Sequence, residues 1–147
     1  MERGGSLSAS SFAPAELPAL VLAYLGDVVW EAYVRRRLVK EAGIRVTARA
    51  LHEKALKMVS ATAQASVLKD FEGALTDEEL AVMKRGRRTR PRRANRPSTM
   101  SEYRNSTGFE ALLGYLDLKG EESRLDELMG LAYDLEIAGY EGDKTGE

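Results

Sequence analysis

The 147-residue sequence contains no cysteine and a single histidine, His52. The first absence excludes disulfides and thiolate metal sites. The second excludes histidine-cluster metal sites and makes any Ser/His/Asp triad depend on one imidazole. A metal ion held by this chain must therefore sit mainly on oxygen, which favours Mg²⁺ or Mn²⁺. No apolar run is long enough to span a bilayer, Leu17 to Leu25 being far too short, so no membrane role is expected. The segment before Glu16 has no basic-then-apolar signal pattern and reads as a loose tail containing Gly, Ser and Pro14. Strict apolar/polar alternation never persists long enough for a strand, and no internal repeat is visible.

What remains is an all-α sequence. Hydrophobic residues make up 44% and charged residues 31%, ordinary values for a globular protein and enough length for one domain rather than two. The expected organisation is a tail over 1–15, one helical domain over 16–138 and a C-terminal tail over 139–147. Apolar spacing predicts a helix from about Glu16 to Glu41, stopped by Gly43. Thr47 can cap a second helix and Ser60 a third, with a bend between them and an end near Gly73. Thr76 and Glu79 form a capping box that opens a short helix through Leu80, Val82 and Met83. Another helix starts between Met100 and Arg104 and carries Phe109, Leu112, Leu113 and Leu116. Gly120 divides it from a last helix running through Leu125 to Leu135.

A formal net charge of −1 conceals an asymmetry. Between Lys84 and Arg96 lie eight basic residues, Lys84, Arg85, Arg87, Arg88, Arg90, Arg92, Arg93 and Arg96, and no acid. Gly86, Pro91, Pro97 and Ser98 break regular structure there, so 84–99 is expected as a mobile surface loop. A block without aromatic interleaving suits a phosphate backbone more than stacked bases, and so a duplex more than a single strand. The plain alternative is a solvated loop, or one that docks an acidic protein.

The first predicted helix carries Asp27 and Glu31, four apart, beside a face reading Leu17, Leu20, Val21, Tyr24 and Val28. A carboxylate next to a core needs a cation, a donor or a metal as partner. The bland reading is a boundary acid paired with Arg35, Arg36 or Arg37. Glu110, flanked by core-type residues between Gly108 and Gly114, is the second such acid; on its own it reads equally as an exposed-edge residue. Two helices that each bring a carboxylate to an apolar interface can share a divalent cation, and that accounts for both acids at once.

Four stretches carry a resemblance: Ala23-Tyr24-Leu25-Gly26-Asp27-Val28-Val29-Trp30-Glu31, Val59-Ser60-Ala61-Thr62-Ala63-Gln64-Ala65, Lys84-Arg85-Gly86-Arg87, and Tyr103 through Tyr115. In order and spacing they resemble Mini-ribonuclease III, the small bacterial branch of the ribonuclease III family without the double-stranded-RNA-binding domain, over residues 18 to 136. The resemblance implies an all-α, dimeric endonuclease domain that cuts double-stranded RNA with Mg²⁺ (Mn²⁺ substituting), in maturation of large-subunit (23S) ribosomal RNA. It also implies a cytoplasmic homodimer that meets its RNA alone or with a ribosomal protein bound to it. By position, Asp27 and Glu110 match the catalytic metal ligands. Lys84, Arg85, Arg87 and Arg88 fall in the segment expected to touch the duplex. His52 falls in a family motif and either faces RNA or is structural. Glu31 is a candidate to orient metal-bound water, or a surface partner of Arg35. Where full-length ribonuclease III enzymes carry two further acids, this chain has Leu20 and Thr107; Arg88 replaces an Asn common in the small branch. Fewer acids imply a simpler metal site. The rival readings are a non-catalytic double-stranded-RNA-binding protein of the same fold and a helical protein-interaction module.

Overall fold

The structure, a computed structural model, describes residues 12–61, 65–89 and 100–145. Among these residues a 3-10 turn at Pro14–Glu16 leads into six helices: α1 (Ala19–Ala42), α2 (Ala48–Ala61), α3 (Ala65–Glu72), α4 (Asp77–Arg87), α5 (Met100–Lys119) and α6 (Glu122–Thr145). No strand occurs among the described residues, as the sequence leads one to expect.

Local chemistry sets most of the boundaries. Gly43 ends α1 at φ 78°, a conformation that costs a glycine little. The Thr47 hydroxyl accepts from the Ala50 N–H at 3.1 Å and caps α2. At α4, Thr76 Oγ1 accepts from Glu79 N–H at 3.2 Å while Glu79 accepts from Thr76 N–H at 2.8 Å, a complete capping box. The third cap expected at Ser60 is not one, because α2 continues through it to Ala61. Helix α6 likewise runs on to Thr145, through most of the segment expected as a C-terminal tail. The expected N-terminal tail lies outside the described residues as far as position 11.

Helix α5 is the central element, buried from Thr107 through Leu116 except at the half-buried Glu110. It lies between α1 and α4, antiparallel to both: Gly26 meets Glu110 while Gly114 meets Leu22, and Gly86 meets Gly108 while Glu78 bonds Tyr115. Helices α2, α3 and α6 close the other side of the core. Trp30 stands in the middle, stacked on Tyr33 and edge-on to Phe109 at 5.1 Å, with Phe71 against the far side of Phe109. Arg124 of α6 fastens the start of α4 by donating to both oxygens of the buried Glu79 at 2.8 and 2.9 Å and to the Ala74 carbonyl at 2.7 Å. Those bonds hold the Glu79 carboxyl below the usual carboxylate range.

The buried face of α1 differs from the expected one. It reads Leu22, Ala23, Gly26, Trp30, Val34 and Leu38, whereas Leu20, Val21, Tyr24 (81% exposed) and Val28 (60% exposed) point to solvent. The first half of α1 is apolar nearly all round, so periodicity does not choose a side. Gly26 does, because only its face lets another backbone approach.

Glu136 of α6 is 1% exposed, and neither of its carboxylate oxygens has a hydrogen-bond partner among the described residues. Burial pushes its pKa up to about 9 from 4.5. A raised carboxyl pKa means the folded state keeps a proton the unfolded chain releases. The associated stability is present in full below pH 4.5 and is lost as pH rises towards 9. Glu136→Met, apolar and of similar volume, is expected to raise stability at pH 7.5 by roughly 2–4 kcal/mol. It should also flatten the decline of melting temperature across that pH window. Parallel pH profiles of wild type and variant, with a constant difference between them, would count against this.

Candidate active site

The two candidate carboxylates belong to α1 and α5, two helices in close contact at Gly26. Gly26 of α1 lies so near α5 that a methyl group built on it would stand 1.7 Å from the carbonyl oxygen of Glu110. One turn further along, a methyl on Gly114 would stand 2.0 Å from the Leu22 carbonyl oxygen. Both distances are well inside van der Waals contact, so the α1–α5 approach exists only because both positions lack a side chain. Asp27 follows Gly26 directly in α1, so its backbone lies one residue from the point where α1 meets the Glu110 backbone. Trp30 and Phe109, from the same two helices, meet edge-on at 5.1 Å in the core.

Asp27 is exposed and Glu110 half-buried. The expected desolvation of an acid against the core does not arise for Asp27, because the apolar residues on its side of α1 are themselves exposed. Nor is it ion-paired with an arginine among the described residues; Arg37, for one, is used by Glu41 at 3.1 Å and by Asp134 of α6 at 2.8 Å. The positions where longer family members carry further acids are spent otherwise. Leu20 is surface, and the buried Thr107 donates its hydroxyl back to the Tyr103 carbonyl at 2.9 Å. Among the described residues no group of three or more His, Cys, Asp or Glu is placed to hold a metal ion. A donor set of two carboxylates from two helices, open to solvent, fits Mg²⁺, which keeps several waters and takes one or two carboxylates together with substrate phosphates.

The basic segment is only partly a loop. Lys84 to Arg87 form the last turn of α4, and Arg88 is its C-cap. Gly86 does not break the helix, because it is buried where α4 touches Gly108 of α5. Two of the expected RNA contacts are committed inside the molecule. Arg85 donates to the Ala15 and Leu17 carbonyls at 2.8 and 3.0 Å, strapping the entry of the chain to α4. Arg87 pairs with Glu72 and lies against Gly108. Lys84 and Arg88 are exposed. The rest of the expected loop, 90–99, lies outside the described residues.

His52 is exposed on α2 and lines, with Glu31 and Arg35 of α1, the groove between those helices. Among the described residues the i,i+4 ion pairs are Arg37–Glu41 and Arg49–Glu53, and the expected Glu31–Arg35 pair is not among them. Sequence reasoning missed Arg35 as a companion of His52; four-residue spacing pointed it at Glu31, and nothing local reveals that α2 packs alongside.

The family described as Ribonuclease III domain matches residues 20–121. A Mini-ribonuclease 3 of Symbiobacterium thermophilum is 47% identical over 121 residues, covering 82% of this chain and 92% of the relative. The Mini-ribonuclease 3 of Clostridium tetani is 35% identical over 133 residues, covering 89% and 87%. Among solved structures, a Fusobacterium nucleatum protein superposes with a TM-score of 0.69 at 24% identity, covering 81% of this chain and 93% of the other; at that identity the likeness concerns the fold alone.

Proposed function

We propose, from the premise that this chain belongs to the ribonuclease III family of endoribonucleases, that it cuts double-stranded RNA at the crossing of α1 and α5. The observation that supports the reading is the close contact of Gly26 with the Glu110 backbone, which packs the residue next to Asp27 against the helix that carries Glu110. Asp27 and Glu110 would hold Mg²⁺, with Mn²⁺ as a substitute. A bound divalent ion supplies a water of lowered pKa and charge stabilisation at the phosphate. The chain's own part is to fix the two carboxylates on rigid helices and to leave the Asp27 side open to a duplex.

Recognition rests on shape and backbone charge, since A-form RNA hides its base edges in a deep groove. Lys84 and Arg88, exposed at the end of α4, are the phosphate contacts in the described part of the basic segment. Each of Lys84→Ala and Arg88→Ala is expected to weaken duplex binding and to lower the slope of log K against log salt by about 1. Arg85→Ala should leave that slope in place and lower the melting temperature, because its guanidinium serves two backbone carbonyls. Titration of a fluorescent RNA duplex at several salt concentrations separates the two outcomes.

Leu20, Val21, Tyr24 and Val28 make an apolar face left exposed among the described residues on the helix that carries Asp27, and this supports a homodimer whose two sites each cut one strand. The substrate we assign is a precursor of large-subunit (23S) ribosomal RNA in the cytoplasm, met with or without a ribosomal protein bound to it. No described helix is long and apolar enough to cross a membrane.

The test is incubation of a duplex RNA, end-labelled on each strand in turn, with the protein in Mg²⁺ and in EDTA. Cuts on both strands that appear only with the cation bear the reading out. Binding without any cut would point to a binding-only protein of this fold.

A further inference from the structure

The groove between α1 and α2 holds a polar constellation that the proposed reaction leaves unused. Glu31, Val34 and Arg35 face His52, Ala55 and Leu56 across a small open groove. Its floor is apolar, with Val34 and Ala55 buried. Around that floor stand a carboxylate, a guanidinium and an imidazole, with Glu31 and Arg35 not joined to each other.

The place of the groove matters as much as its lining. Glu31 and Arg35 follow Asp27 at intervals of four residues, one and two turns along the same side of α1. They are therefore displaced by about 6 and 12 Å along the helix axis. A nucleic-acid strand running along α1 from a bond cut at Asp27 reaches Arg35 within about four nucleotides.

The three groups together select among ligands. A phosphate alone would be repelled by Glu31, and a cation alone by Arg35. A ribose phosphate uses all of them: its anionic oxygens accept from the Arg35 fork and from an imidazole N–H of His52, and its 2′-hydroxyl donates to the Glu31 carboxylate. That hydroxyl is the atom RNA has and DNA lacks.

We infer that Glu31, Arg35 and His52 form a ribose-phosphate subsite that reads a 2′-hydroxyl near the scissile bond and so selects RNA over DNA. The inference rests on the double-stranded-RNA nuclease reading above and adds to it a specificity determinant in the α1–α2 groove. Glu31 is then an acceptor for the substrate rather than a residue that orients cation-bound water.

The experiment measures single-turnover cleavage of an all-ribose duplex and of duplexes carrying one 2′-deoxy substitution at each of the four positions on either side of the cut. Wild type, Glu31→Gln, Arg35→Met and His52→Ala are compared, and melting temperatures confirm that the variants, changed on the groove rim, remain folded. Wild type is expected to lose about tenfold in half-saturating concentration at one deoxy position, the loss of a hydrogen bond to a charged group. Glu31→Gln should show that loss already on the all-ribose duplex and lose little more at the same deoxy position. Arg35→Met and His52→Ala should weaken half-saturation with the maximal rate nearly kept. Deoxy and Glu31→Gln losses that simply multiply, or variants that lower the maximal rate alone, would overturn the subsite and leave the nuclease intact. A wild type that cuts no duplex overturns the nuclease reading, and the subsite with it.

Discussion

Asp27→Asn is expected to lower cleavage of duplex RNA by roughly 10³-fold or more at saturating Mg²⁺, the scale set by removing one preorganised charge-stabilising group from a hydrolytic site. Stability should be unchanged, because Asp27 is exposed and Asn has the same shape. Duplex binding should also be kept, since phosphate contact falls to Lys84 and Arg88. Glu110→Gln is expected to cost a similar factor, and the double variant little more than either single one, because two carboxylates holding one ion act as a unit. The measurement is the single-turnover rate on an end-labelled duplex, with native-gel binding in Ca²⁺ as the control. A variant at Asp27 that cuts within about tenfold of wild type would remove that carboxylate from the chemistry.

Gly26→Ala should damage both fold and activity although it adds only a methyl group. On an isolated helix the change would stabilise by about 1 kcal/mol. Here the new Cβ would stand 1.7 Å from the Glu110 carbonyl oxygen. The obstacle is backbone inside a buried helix, so no rotamer change relieves it and α1 must back away from α5. The overpacking is expected to cost roughly 3 kcal/mol, about 10 °C in melting temperature for a chain of this size. Because the displacement opens the gap between Asp27 and Glu110, cleavage should fall by about 10²-fold even at temperatures where the variant is folded. Gly73→Ala, where the nearest atom is the Asp70 carbonyl oxygen at an ordinary 3.5 Å, is the matched control and should cut normally. A Gly26→Ala protein as stable and active as that control would show that the crossing does not position the site.

Much of the architecture is legible because its causes are local. Thr47, the Thr76–Glu79 box, Gly43 and Gly120 act on backbone groups within a turn of themselves, and each marks a boundary in the structure as in the sequence. The acids of the candidate site are legible too, since Asp27 and Glu110 sit among apolar residues and small glycines whose pattern needs no neighbour to be read. Other features have distant causes. Lys84 to Arg87 are helical because Gly86 rests on Gly108, and Arg85 turns inward because the carbonyls of Ala15 and Leu17 await it. Nothing near either residue in sequence announces this.

The sequence by itself determined an all-α chain and where most of its helices begin and end, because short-range hydrogen bonding and helical periodicity suffice for these. Only the tertiary structure decided which face of α1 is buried, which basic residues remain free for a phosphate, that Glu136 is sealed away from water, and that Glu31 and Arg35 share a groove with His52. Each of those outcomes depends on what a second helix, distant in sequence, places against the first, and burial and charge pairing are properties of that contact rather than of either strip of residues alone.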